Sequence, residues 1–120
     1  MKIKLSELKL MEGPLVKLTN QDIPVKVAWD LGKFLKRASS ELRTLEEFRI
    51  KLVQKYGEKE SEESDAWKVP PENEVAFKNE YATLLDQEID IVFKKVKLAD
   101  LGDIKMSASD MAQLDKIIEV

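Results

Sequence analysis

The sequence predicts an α+β fold, in which a long helical hairpin carries a small antiparallel sheet and a C-terminal helix. Apolar residues recur at heptad spacing through 24–56, which indicates one long helix. A second helical pattern follows a short acidic segment. Segments with strand-like patterning lie outside both helices. The predicted hairpin helices are about 24–56 and 72–87, and the predicted strands are about 2–5, 88–98 and 104–106.

The N-terminal residues predict a short strand followed by helical structure. Ile3 and Leu5 alternate with lysines, and Ser6 is a candidate helix N-cap. Apolar residues then follow at helical spacing, interrupted by Gly13-Pro14. Because proline removes a helical hydrogen bond, we expect either a kink or two short helices here.

The long helix begins near Pro24, where a missing N–H costs little, and ends at Gly57. It would be roughly 50 Å long, which exceeds the diameter of a compact domain of this size. Part of its apolar seam is therefore expected to pack on another chain. Arg49 interrupts the seam and is expected either to pair with an acid across the hairpin or to fix the register of an oligomer. The predicted oligomer seam is Leu35, Leu42, Leu45, Arg49 and Leu52.

An acidic loop is predicted at 58–66, within a single domain that spans 1–120. Five acids and one lysine give Glu58 to Asp65 a local net charge of −4. A solvated connection between antiparallel helices is the favoured interpretation, because the charges repel one another. A cation site or an acidic docking segment is the alternative.

The C-terminal third predicts two strands and a last helix. The 88–98 segment alternates until its phase shifts at Val96, which indicates a bulge or a strand end. It is expected to pair with the N-terminal strand, since a lone hairpin is marginally stable. Ser107 and Asp110 resemble a capping box. The helix that they open is expected to carry Met111, Leu114, Ile117 and Ile118.

Composition argues against most enzyme classes. The chain has no histidine and no cysteine, which removes the commonest general base, thiolate nucleophiles and the usual zinc ligands. Glycine-rich phosphate loops are absent. We therefore expect a protein that is not an enzyme and has no cofactor and no metal site. Carboxylate or lysine chemistry is the remaining enzymatic alternative.

Charge and hydropathy limit the partners and the location. A net charge of −3 gives no dominant electrostatic signal for nucleic acid. No apolar run approaches a membrane span, and the N-terminus lacks the apolar core of a signal peptide. A cytoplasmic location in a bacterial cell is therefore expected.

A basic stretch on the long helix is the best candidate site. Trp29, Lys33 and Arg37 are spaced four apart and share a face, and Arg43 extends the basic character. Guanidinium groups bind phosphate and an indole stacks on a base, so an anion or nucleotide pocket is one hypothesis. Ordinary solvated charge, with Trp29 partly buried, is the more common explanation of such a pattern.

Three segments together resemble small proteins of unknown function from phages and prophages of Firmicutes. They are IPVKVAWDLGKFLKRASSELRTLEEFRIKLVQKYGEK, WKVPPEN and EIDIVFKKVKLADLGDIKMSASDMAQL, and the similarity covers nearly the whole chain. The resemblance brings no catalytic residues. It implies a viral accessory or assembly gene that acts in a bacterial cytoplasm.

These observations lead to two functional hypotheses. The first is a non-enzymatic, homo-oligomeric binding protein of a phage, which neutralises a host protein or sequesters a small anionic host signal of nucleotide type. The alternative is a structural adaptor of virion assembly or packaging, which would bind another phage protein and no small ligand.

Overall fold

The computed structural model describes all 120 residues and confirms the α+β class. Helices dominate, and short strands pair in three separate places. The elements in order are β1 (Lys2–Lys4), α1 (Leu5–Thr19), α2 (Val25–Tyr56), β2 (Glu58–Lys59), β3 (Trp67–Lys68), α3 (Pro71–Leu85), β4 (Glu88–Asp90), β5 (Val96–Lys97), a 3-10 turn (Leu98–Leu101), α4 (Ala108–Gln113) and β6 (Ile118–Glu119).

The long helix α2 determines the shape of the molecule. Its 32 residues correspond to about 48 Å at the usual helical rise, and the molecule extends 53 × 29 × 24 Å. At its C-terminal end the Gly57 N–H donates to the carbonyl of Val53, 2.6 Å away. The predicted bounds of this helix, 24–56, are confirmed to within one residue.

The helix α1 supplies the centre of the core. Five of its residues are buried, at spacings of three or four that place them on one face: Leu5, Leu8, Met11, Leu15 and Leu18. Pro14 lies inside this helix, which runs on as one element. The two-helix alternative is therefore wrong, because packing of this apolar face outweighs the single hydrogen bond that proline removes.

Burial is unequal along α2. The sixteen buried residues of the chain are all apolar, and those from α2 are Leu31, Phe34, Ala38 and Leu45. None lies beyond Leu45, and α3 contributes none. We call residues 46–85 the distal arm; they comprise the last part of α2, the β2–β3 ribbon and α3. The arm shields no side chain completely from solvent, although Tyr81, Leu84 and Leu85 at the end of α3 pack against the main core.

The predicted helical hairpin is confirmed in the arm. Asn73 of α3 donates from Nδ2 to the Tyr56 carbonyl, and Lys55 of α2 forms an ion pair with Glu80 at 3.0 Å. A second hairpin joins α1 to α2 through residues 20–24. The long helix is therefore covered by α1 along its first part and by α3 along its last part.

The predicted pairing of the N-terminal strand is confirmed, but the sheet differs from the prediction. β1 pairs antiparallel with β4, with Ile3 opposite Ile89. The predicted strand 88–98 is regular only to Asp90, because the chain then turns Phe93 inward onto α2. The phase shift at Val96 marks neither a bulge nor a strand end: β4 already ends at Asp90, and a new strand, β5, begins at Val96 and pairs parallel with β6.

The predicted strand at 104–106 is wrong. These residues have no regular structure, and the Lys105 carbonyl accepts a hydrogen bond from the Gln21 side chain at 3.3 Å. Ile104 and Met106 still pack against the core. Their alternation therefore reflects burial without strand pairing, because β6 rather than 104–106 pairs with β5.

The acidic segment 58–66 is more ordered than a simple loop. Glu58 pairs with Lys68 and Lys59 with Trp67 in an antiparallel ribbon, and the Glu60 N–H donates to the Ala66 carbonyl. The acidic side chains of the segment are exposed, as the solvated interpretation expects.

The C-terminal helix is present but shorter than predicted. Ser107 caps α4, accepting at Oγ from the Asp110 N–H at 3.1 Å, as the capping pattern predicts. The helix ends at Gln113, so Ile117 lies in a turn and Ile118 in β6. Both isoleucines are buried, and core packing rather than helical periodicity explains their positions.

Candidate functional site

A cleft of about 440 Å³ lies between the first half of α2 and the irregular segment after β4. It is open to solvent and combines apolar and charged side chains. The lining residues are Asp30, Lys33, Phe34, Arg37, Asp90, Ile91, Val92, Phe93 and Lys94.

Helical spacing places four of these residues on one wall. Asp30, Lys33, Phe34 and Arg37 are separated by three, one and three positions, so they lie along the same side of α2. Phe34 is almost completely buried and fixes this side of the helix to the core. The cleft wall on α2 is therefore a rigid helical surface rather than a loop.

The opposite wall is a loop held by apolar anchors. Ile91 is buried, and its N–H donates to the Met1 carbonyl at 2.9 Å. Phe93 is half-buried against Phe34. Because these two side chains point inward, Val92 is left completely exposed, and Lys94 follows at the rim of the cleft.

Three cations and two carboxylates line the cleft. The Arg37 guanidinium binds Glu41, with Nε and Nη2 each 3.1 Å from Oε1. Lys33 and Lys94 make no ion pair within 4 Å. Both ammonium groups are therefore available to a bound anion.

Asp90 is already neutralised by a neighbouring positive charge. The Met1 ammonium lies 3.0 Å from Asp90 Oδ1 and donates to the Ile91 carbonyl at 3.0 Å. The hydrogen bond and the charge of this ammonium lower the pKa of Asp90 below its ordinary value. With this ammonium and Glu41 included, four positive and three negative groups lie at the cleft, which leaves a net charge of +1.

The structure brings together two of the four predicted site residues. Lys33 and Arg37 line the cleft, as their spacing predicts. Trp29 lies outside it and is 68% exposed, with Lys33 Nζ 5.5 Å from the indole centroid. Arg43 lies in a separate groove with Lys9 and Tyr81. The predicted four-residue pocket therefore reduces to a pair of cations.

Sequence reasoning missed the second wall of the cleft. Phe93 and Lys94 occur in a segment whose alternation predicts a strand, so nothing marked them as site residues. The one available signal is the adjacent pair Lys94-Lys95 after an aromatic residue. Proximity of this segment to Arg37 depends on the β1–β4 pairing, which spans most of the chain.

The predicted oligomer seam packs mainly within the chain itself. Leu45 is buried, and Leu35 and Leu42 are half-buried against the same core. Leu52 and Arg49 lie in the arm and are half-buried. The expected pairing of Arg49 with an acid across the hairpin is not found, because Arg49 pairs with Glu46 on its own helix at 2.6 Å. A role of Arg49 in the register of an oligomer stays a prediction. The heptad pattern thus identifies the face that binds α1 and α3.

The geometry of the cleft is suited to non-covalent binding. Its cations can accept an anion through charge-assisted hydrogen bonds. Its carboxylates can accept hydrogen bonds from a neutral part of the same ligand. No group of three or more acidic side chains is arranged to hold a metal ion.

Comparisons with protein-family models, with curated proteins and with solved structures found no match. None of the helices is both long enough and apolar enough to cross a membrane.

Proposed function

We propose that this chain is a non-enzymatic binding protein that captures a small anionic ligand of nucleotide type in the cleft between α2 and residues 90–94. The observation that carries the proposal is the convergence of Lys33, Arg37 and Lys94 on one cleft from two different segments. Two of these cations, Lys33 and Lys94, form no ion pair within the chain.

The cleft has a suitable size and composition for such a ligand. Its volume of about 440 Å³ falls within the usual range for small-molecule pockets, roughly 300–1,000 Å³. Phe93 and Val92 supply an apolar surface for a flat ring, and the three cations supply a site for phosphate. Asp30 can accept hydrogen bonds from sugar hydroxyls or an exocyclic amine. This combination favours a nucleotide over inorganic phosphate.

The resemblance to phage proteins supplies a biological setting for this proposal. A phage accessory protein that sequesters a nucleotide-type signal of its host would need binding chemistry without turnover. The chain offers that chemistry, because its cleft contains cations and an apolar wall but neither histidine nor cysteine.

Native mass spectrometry of protein purified from bacterial cells tests the proposal first. We expect an added mass of a few hundred daltons that is lost on denaturation. Titration calorimetry with nucleoside mono- and diphosphates then measures affinity, with the unphosphorylated nucleosides as the ligand control. Binding is expected to weaken as ionic strength rises, because the cleft is open to solvent.

Variants of the cleft make the test specific. Lys33→Ala, Arg37→Ala and Lys94→Ala should each weaken nucleotide binding about tenfold or more, since each removes a charge-assisted hydrogen bond. Glu62→Ala, in the exposed acidic segment, is the matched control and should bind normally. Unchanged affinity in all three cleft variants would contradict the proposal. A ligand-free protein that captures only another phage protein would instead favour the assembly-adaptor alternative.

A further inference from the structure

Trp29 is a largely exposed aromatic residue beside the proposed binding cleft. It is 68% exposed and does not pack against the core. Lys33 connects it to the cleft, because the Lys33 ammonium lies 5.5 Å from the indole centroid and the same residue lines the cleft. An anion that binds Lys33 is therefore brought close to the indole ring as well.

Helix geometry arranges three side chains as successive steps around α2. At about 3.6 residues per turn, positions four apart differ by about 40° around the helix axis and by about 6 Å along it. Trp29, Lys33 and Arg37 are spaced in this way, with Lys33 in the middle. Arg37 lies in the cleft, whereas Trp29 lies in solvent about 12 Å away along the axis. The indole therefore borders the cleft without lining it.

A ligand with a single base does not reach both ends of this series. With its base on Phe93 and its phosphate between Lys33 and Arg37, a mononucleotide occupies the cleft and leaves the indole in solvent. A second nucleotide that is joined through this phosphate begins at Lys33 and continues towards Trp29. Stacking on an aromatic ring suits any base, because every base has a π-face.

Two further groups suit this second nucleotide. Lys26 precedes Trp29 by three positions, so the two side chains are neighbours on the helix surface. Lys26 is exposed and, like Lys33, makes no ion pair. Asp30 follows Trp29 directly and lies on the cleft wall, where it can accept hydrogen bonds from sugar hydroxyls. Groups that suit a phosphate, a base, a sugar and a second phosphate thus follow one another along α2.

We propose that the ligand of the cleft is a dinucleotide, in which the first base lies in the cleft against Phe93 and the second base stacks on Trp29. The phosphate that joins the two nucleosides binds Lys33, and the outer phosphate binds Lys26. This inference rests on the proposed function, because it extends the same site by one nucleotide.

The second tryptophan of the chain provides a matched comparison. Trp67 is 36% exposed in the arm, and Lys59 Nζ lies 6.0 Å from its ring centroid. The lysine–indole pair at Trp67 therefore resembles the pair at Trp29, but it lies away from the cleft. A general effect of such a pair should appear at both tryptophans, whereas an effect of a dinucleotide site should appear only at Trp29.

Titration calorimetry with two ligands tests the proposal. The ligands are adenosine monophosphate and a diadenylate with a terminal phosphate. The native chain should bind the diadenylate at least about tenfold more tightly, because this ligand gains a stacking contact and a phosphate contact. Trp29→Ala should weaken diadenylate binding about tenfold or more and leave the affinity for the monophosphate unchanged.

Further variants separate stacking from charge. A phenyl ring also stacks on a base, so Trp29→Phe should retain much of the preference for the diadenylate. Trp67→Ala should retain all of it. Lys33→Ala should weaken the binding of both ligands, whereas Lys26→Ala should weaken only that of the diadenylate. Because Trp29 is largely exposed, its substitution should leave the far-UV circular dichroism unchanged.

Tryptophan fluorescence measures the stacking directly. The chain has two tryptophans, so Trp67→Phe leaves Trp29 as the single emitter. Saturation with the diadenylate should quench this emission, since a stacked base contacts the indole. Saturation with adenosine monophosphate should quench it much less, because the base of this ligand lies in the cleft.

Two results would overturn this inference and leave the proposed function in place. One is equal affinity of the native chain for the two ligands, and the other is a preference for the diadenylate that persists in Trp29→Ala. If the native chain binds neither ligand, the result contradicts the proposed function itself and, with it, the assignment of Trp29.

Discussion

The ring centroid of Phe93 lies 4.8 Å from that of Phe34, with the two planes inclined at 54°. Phe34 belongs to α2 and is buried, whereas Phe93 belongs to an irregular segment and is half-buried. This contact joins the loop after β4 to the long helix. It also sets the width of the cleft between them, because Lys94 on the loop follows Phe93 directly and Arg37 follows Phe34 by less than one turn.

Loss of the Phe93 ring should therefore loosen both the fold and the cleft. Phe93→Ala is expected to reduce the free energy of unfolding by about 2 kcal/mol, less than for a fully buried phenylalanine. Urea unfolding followed by circular dichroism measures it. Val92→Ala is the neighbouring control: this side chain is completely exposed, so a change within about 0.5 kcal/mol is expected. Equal losses in the two variants would show that the aromatic contact does not stabilise the loop.

The buried face of α1 should dominate the stability of the chain. Leu8 has no exposed surface, and Leu8→Ala is expected to reduce the free energy of unfolding by about 2–5 kcal/mol, since it leaves a cavity in the core. Leu10, two residues away on the same helix, is 62% exposed. Leu10→Ala should change the free energy by less than about 0.5 kcal/mol. Thermal and urea unfolding of both variants provide the comparison, and similar losses would contradict the assignment of the core face.

The free energy of unfolding should decrease as the pH is lowered through the acidic range, and Glu7 should contribute to this decrease. Lys116 Nζ lies 2.7 Å from Glu7 Oε2, and this hydrogen bond lowers the pKa of Glu7 below its ordinary value of 4.5. A carboxylate with a lowered pKa in the folded state stabilises the fold above its unfolded pKa. That contribution is lost as the pH falls through the folded value.

Melting temperatures measured from pH 7 to pH 3 test this linkage. The native chain should be more stable than Glu7→Gln at neutral pH, and the difference should shrink once the pH falls below about 4.5. Lys116→Met removes the ammonium partner of Glu7 and keeps the carboxyl group. The melting temperature of this variant should change less with pH below about 4.5 than that of the native chain. If the difference in melting temperature between the native chain and Glu7→Gln stays constant from pH 7 to pH 3, protonation of Glu7 is not linked to unfolding.

Substitution by alanine should change the stability in opposite directions at two glycines, one inside α2 and one at its C-terminal end. A Cβ at Gly57 would collide with the Val53 carbonyl oxygen and lie 3.1 Å from that of Lys68. Because both obstacles are backbone atoms, Gly57→Ala should destabilise the arm by about 1–3 kcal/mol. A Cβ at Gly32, inside α2, meets nothing within 4 Å. Gly32→Ala should stabilise the helix by about 0.5–1 kcal/mol.

Thermal denaturation of the two variants checks both signs in one experiment. Hydrogen exchange of the β2–β3 ribbon gives a local measure, since the Gly57 substitution should increase exchange there first. A Gly57 variant as stable as the native chain would show that the junction between α2 and the ribbon can adjust without cost.

The candidate site shows where sequence reasoning succeeds and where it ends. Lys33 and Arg37 were found because their spacing on one helix fixes their relative position. Trp29 satisfies the same spacing, yet it lies outside the cleft and is exposed. The spacing does not say which side of the helix forms the cleft, because that depends on where the second wall lies. That wall is Phe93 and Lys94, whose place depends on a strand pairing between residues about ninety positions apart.

By itself, the sequence determined the α+β class of this protein and its two helices α2 and α3. Helical periodicity, capping residues and glycine stops act over a few neighbouring residues, so the ends of α2 and α3 could be placed to within two residues. Only the tertiary structure decided which strands pair, that 104–106 stays unpaired, and that the seam through Leu42 and Leu45 packs on α1 of the same chain. These outcomes depend on which distant surfaces compete best for burial and for backbone hydrogen bonds, and local patterns carry no information about that competition.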